Sequence, residues 1–142
     1  MGPPSPSLLL VEDEPDDVAL FRRALRILRP GTPLTVARDG DEALDLLSKI
    51  CAESQQSGHP PLTHVILDLK LPRRSGLEVL EWIRRRRELR ELRVVMLTSS
   101  PQSRDPERAH RAGLDHYYVK PPNFTELVDV VRTMLREWVL LP

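Results

Sequence analysis

The stretch His64-Val65-Ile66-Leu67-Asp68-Leu69-Lys70-Leu71-Pro72 decides the fold. His64 to Leu67 is a short run without polar–apolar alternation, the pattern of a strand buried on both faces of a parallel sheet. It ends abruptly on Asp68. The same pattern recurs on either side. Leu8 to Val11 is apolar and ends on Glu12-Asp13, Val94 to Leu97 ends on Thr98, and Tyr117 to Val119 ends on Lys120. A weaker run around Leu34-Thr35-Val36 supplies a fifth strand.

Helical spacing fills the gaps between these runs. Pro15 suits a first helical turn, and Val18, Phe21, Leu25 and Leu28 follow on one face until Pro30-Gly31 stops the helix. Ala43, Leu44, Leu46 and Leu47 mark a second helix. Ser, Gln, Gly, His and Pro dominate residues 52–62, which predicts a long surface loop. Ser75 with Glu78 forms a capping-box pattern ahead of Leu77, Leu80 and Ile83. Asp105 to Ala112 reads as a polar helix stopped by Gly113. Asn123 with Glu126 opens the last helix, whose apolar stripe runs from Leu127 to Trp138. Strands and helices alternate, so the fold class is α/β with a parallel sheet. The 142 residues fit one domain, 1–142, with a flexible Pro-rich start at 1–6. The apolar tail 139–142, with Trp138, either joins a partner contact or folds back on its own core.

The chain carries 21 basic and 21 acidic residues. That balance gives no support to attraction by nucleic acid or membrane. Arg84 to Arg87 lack aromatic partners and a recognition helix, so they read as a solvated helix face and no nucleic-acid partner is expected. Leu8 to Val11 is far too short to span a bilayer. The lone Cys51 cannot form an internal disulfide, which fits a reducing, cytoplasmic setting. The four histidines show no metal-ligand spacing.

In an open parallel sheet the carboxyl ends of the strands share one edge, and ligands bind there. Asp13, Asp68, Thr98 and Lys120 come from separate stretches to that edge. Glu12, Asp13 and Asp68 form a cluster of hard oxygen donors of the kind that holds Mg²⁺. One carboxylate oxygen of Asp68 can attack phosphorus, while Lys120 and Thr98 meet charge on the equatorial oxygens. Each residue also has a plain reading, as turn former, cap or solvated cation. Glu14, Asp16 and Asp17 are read that way, as acids complementing the start of the first helix.

The blocks Leu8-Leu9-Leu10-Val11-Glu12-Asp13-Glu14-Pro15, Val65 to Pro72 with Gly76, Thr98-Ser99, and Tyr117-Tyr118-Val119-Lys120-Pro121 together resemble the signature blocks of response-regulator receiver domains from two-component systems. Asp39-Gly40-Asp41-Glu42-Ala43-Leu44 is also typical of them. The resemblance covers nearly the whole chain and implies a doubly wound, flavodoxin-like sheet of order 2-1-3-4-5. It implies that Asp68 is the phosphoacceptor and that Glu12 and Asp13 serve Mg²⁺. Lys70 would offer the metal its backbone carbonyl, and Thr98 and Lys120 would bind the phosphoryl group. Tyr117 would switch with Thr98, and the Lys120–Pro121 bond would be cis. Lys70 departs from the Asn or Met of many relatives, which bears on dephosphorylation rate. The chain is also similar to stand-alone regulators of bacterial phytochrome histidine kinases. That implies such a kinase as partner and a homodimer through the fourth helix, fifth strand and fifth helix.

Other functions fit less well. A dehalogenase-type phosphatase needs a second Asp where Lys70 stands, and a flavin-binding loop would not carry Glu12-Asp13-Glu14. A phosphate sink or an unphosphorylated interaction module stays open.

Overall fold

A computed structural model describes residues 5–57, 61–99 and 105–142. Five parallel strands, β1 (Leu8–Val11), β2 (Leu34–Ala37), β3 (His64–Leu67), β4 (Arg93–Thr98) and β5 (His116–Val119), form one sheet of order β2-β1-β3-β4-β5. Leu10 pairs with Ile66, and Leu67 with Met96, so the strand ends stay level at the carboxyl edge. The helices are α1 (Pro15–Leu28), α2 (Gly40–Ser57), α3 (Gly76–Arg84), α4 (Asp105–Arg111) and α5 (Phe124–Glu137).

Strand alternation splits the core into two layers. Leu9, Val11, Val65, Leu67, Val94 and Met96 pack under α2, α3 and α4. Leu8, Leu10, Ile66, Val95 and Leu97 pack under α1 and α5. The caps fall where the sequence puts them. Ser75 Oγ accepts from Glu78 N at 3.2 Å, and Asn123 Oδ1 accepts from Glu126 N at 2.9 Å. Each satisfies a donor that the helix start would otherwise leave open.

Two expectations need correction. The loop predicted at 52–62 is helical through Ser57, because Leu47, Ile50, Cys51 and Ser54 continue one buried face at spacings of three and four. Ala52, Glu53, Gln55 and Gln56 are good helix formers, and core burial outweighs the weaker preference of Ser there. Residues 58–60 of that stretch, like 1–4 of the predicted flexible start, lie outside the described residues. The arginine run is not uniformly solvated. Arg84 donates to Gly113 O at 2.9 Å and Leu92 O at 2.8 Å and pairs with Asp115 at 3.1 Å, tying α3 to the segments that lead into β4 and β5. Arg86 stacks over Trp82, 4.2 Å from its ring centre.

The tail folds back. Trp138 lies 4.2 Å from the His64 ring, and Leu140 and Leu141 pack on the α1–α5 layer. Val139 N donates to Arg136 O and Leu140 N to Leu135 O, the two bonds of a Schellman ending. Val139 takes the left-handed position, with φ 59° and its side chain in solvent. Among the described residues no helix is long and apolar enough to cross a membrane.

Candidate functional site at the carboxyl edge

Each chemically suspect residue lies at or just past the end of a strand. Glu12 and Asp13 follow β1, Asp68 follows β3, Thr98 ends β4 and Lys120 follows β5. By strand parity Glu12, Asp68 and Lys120 continue the rows that face α1 and α5. Thr98 continues the row of Met96 and faces the other layer, where Tyr117 packs.

Glu12, Asp13 and Asp68 each offer a carboxylate oxygen, all within 4.8 Å of one another. Glu12 and Asp68 are buried and Asp13 is exposed, so the cluster has an inner wall and an open side. A cation already sits on the inner wall: the Lys120 ammonium is hydrogen-bonded to Glu12 and lies 3.1 Å from Asp68 Oδ2. Burial pushes the Glu12 carboxyl up even with the ammonium beside it. For Lys120, burial is outweighed by its hydrogen bond to Glu12 and by the charge of Asp68, which raise its pKa. The ammonium therefore stays charged across the ordinary pH range.

The donor set fits a small hard divalent cation. Oxygen-only ligands, one open side and excess negative charge suit an ion of that class. Glu12, Asp13 and Asp68 would hold it.

The loop carrying Asp68 is held by backbone. Asp68 N donates to Val11 O at 3.1 Å, and Gly76 N to Leu69 O at 2.9 Å. Lys70 is exposed and its N–H donates to Asp68 Oδ1 at 3.2 Å, which aims one carboxylate oxygen. Gly76 is required by proximity: a Cβ there would lie 2.2 Å from the Asp68 carbonyl oxygen. Lys120 N donates to Thr98 O at 2.8 Å, joining the fourth and fifth strand ends. The Lys120–Pro121 bond, expected cis, is not: the described chain has no cis peptide. Trans is the lower-energy isomer even before proline, and Lys120 reaches its carboxylates in that form.

One site residue was missed. Asp17, read from sequence as a helix-start acid, places Oδ2 3.1 Å from Lys120 Nζ. The first turn of α1 lifts it over the same edge. Its position five residues past Glu12 was a weak signal, and its partner is 103 residues away. Beside this cluster a cavity of about 170 Å³ opens between α1 and the start of α5, walled by Leu20, Phe21, Pro122 and Phe124.

The response regulator receiver domain model matches residues 8–132. The "Probable methanogenesis regulatory protein FilR2" of Methanothrix harundinacea is 35% identical over 93% of this chain and 83% of its own length. The "Polar-differentiation response regulator DivK" of Brucella ovis is 31% identical over 91% of this chain and 95% of its own. Among solved structures, the "bacteriophytochrome response regulator AtBRR" is 38% identical, with TM-score 0.70 over 92% of both chains. The "Phosphorylated Cyanobacterial Phytochrome Response Regulator RcpA" is 27% identical, with TM-score 0.81 over 95% of this chain and 94% of that one. With the matched sheet order and the acidic edge in place, the chain belongs to the response regulator receiver domain family.

Proposed function

We infer that this receiver domain acts as a phosphoacceptor module of a phosphorelay rather than as an enzyme in the usual sense, and that it interacts with a sensor histidine kinase. We propose that in this chain Asp68 is the acceptor. The observation that carries the reading is its carboxylate, buried beside Glu12 and 3.1 Å from the Lys120 ammonium, at the edge where this architecture binds ligands.

In this mechanism an Asp68 oxygen attacks the phosphorus of a phosphohistidine. The P–N bond breaks and its electron pair leaves with the imidazole. Mg²⁺, when bound, neutralises developing charge on the phosphoryl oxygens. The protein's own groups do the rest. Lys70 N–H holds one carboxylate oxygen, Lys120 supplies positive charge to the equatorial oxygens, and Thr98 offers its hydroxyl from the opposite layer. Thr98 moving toward the phosphoryl group draws on Tyr117, which packs in the same layer. That re-shapes the face of α4, β5 and α5. Lys70, exposed beside the acceptor, tunes the dephosphorylation rate. Its backbone carbonyl would help hold the metal.

The partner is a histidine kinase of the bacterial phytochrome type. Support comes from the 38% identity to a bacteriophytochrome response regulator over nearly the whole chain. A homodimer through the α4–β5–α5 face fits an edge strand whose Val119 is 48% exposed.

Intact-mass measurement after incubation with acetyl phosphate and Mg²⁺ tests the central claim. One phosphoryl adduct is expected in the native chain and none in Asp68→Asn. An adduct that survives Asp68→Asn would overturn it. Light scattering tests the dimer, which should gain population on phosphorylation.

A further inference from the structure

Lys120 has no donor to spare. An ammonium carries three N–H groups, and three carboxylates surround this one: Glu12, Asp17 and Asp68. A phosphoryl group on Asp68 brings new acceptor oxygens and more negative charge to the same ammonium. At least one existing contact must then be released or shared.

The three contacts differ in what release costs. The Glu12 side chain is 3% exposed, so water cannot replace the lost partner. Asp68 carries the incoming group itself. The Asp17 side chain is 41% exposed, on the first turn of α1, where solvent takes over the carboxylate cheaply. We infer that Asp17 is a positioning residue: it anchors the Lys120 ammonium in the unphosphorylated protein and competes with the phosphoryl group for it. The inference rests on Asp68 being the phosphoacceptor. It adds that readiness to be phosphorylated is set partly by a residue that touches neither phosphorus nor metal.

The competition gives a sign. Removing the anchor frees the ammonium and favours the phosphorylated form. Removing any negative charge nearby also favours an incoming anion, so charge and contact must be separated. Asp16 does this. It is the neighbouring acid on the same turn, exposed, and makes no ion pair among those found in the described residues.

The test measures binding of fluoroberyllate, a phosphoryl surrogate, with Mg²⁺ by native chain, Asp17→Asn, Asp17→Glu, Asp16→Asn and Asp68→Asn. Binding by Asp17→Asn should tighten about two- to five-fold, the scale of a partly exposed ion pair. Asp16→Asn should show less than half that gain. Asp17→Glu, which keeps a carboxylate within reach, should return to the native affinity. Equal affinities for Asp17→Asn and Asp16→Asn overturn the anchor while leaving the acceptor intact, and so does Asp17→Glu behaving like Asp17→Asn. A native chain that binds no better than Asp68→Asn overturns the acceptor reading, and the anchor falls with it.

Discussion

At the carboxyl edge of the sheet the buried Glu12 and Asp68 carboxyls meet the half-buried Lys120 ammonium; at the amino edge the half-buried Thr63 hydroxyl meets the buried His64 ring. The amino-edge network is closed. Ser7 N donates to Thr63 Oγ1 at 2.9 Å, and that hydroxyl donates to Ser7 O at 3.0 Å. Its one proton is then used, so the contact with His64 Nδ1 at 2.7 Å is complete when the ring donates. Burial, reinforced by the charge of Arg93, lowers the His64 pKa to about 4. At the other edge the buried carboxyls of Glu12 and Asp68 have the Lys120 ammonium directly against them. One edge therefore resists change in protonation, and the other stores charge that a ligand can reorganise.

Lys120→Met should break this contrast most severely. It leaves Glu12 and Asp68 buried without a counter-charge, at a cost of about 3–5 kcal/mol. Urea unfolding in chelator should show the loss, and added Mg²⁺ should recover part of it. An unchanged midpoint would mean that the carboxylates were never held by the ammonium.

The amino edge should respond to acid. His64 protonates near pH 4 when folded against an ordinary 6.5, so the unfolded chain takes up the proton first. Stability from this residue is full above about pH 6.5 and falls as the pH drops towards 4, by about 3 kcal/mol at most. Denaturation midpoints between those limits should slope in the native chain and flatten in His64→Gln. Trp138→Ala, which uncovers the ring, should move the His64 titration upward in NMR spectra.

The smallest effect belongs to Val139. A β-branched residue at φ 59° is strained, and glycine is the usual choice at this point of a Schellman ending. Val139→Gly should raise stability by about 0.5–1 kcal/mol, seen as a rise of a few degrees in Tm. A fall would show that the tail depends on contacts of the valine itself.

The strands and the two helix caps were legible because each rests on neighbours in sequence: a short apolar run, or a Ser or Asn three residues before a Glu. The strand order came only with the family resemblance. Glu12, Asp13, Asp68, Thr98 and Lys120 were legible by the same logic, as polar residues ending apolar runs. What escaped depends on distant partners. The second half of α2 is polar in composition but has a core to lean on, supplied by strands and by Leu89 and Leu92. Arg84 looked solvated until Gly113 and Asp115, about thirty residues on, folded against it. Asp17 had a sufficient local role as a helix-start acid, and only Lys120 gives it another.

Strand parity has a spatial consequence for signalling. The sheet is one backbone thick, and Asp68 stands in a row facing α1 and α5 while Thr98 stands in a row facing α3 and α4. A group added to Asp68 would therefore act on one face of that wall, while the hydroxyl that could answer it belongs to the row on the other face.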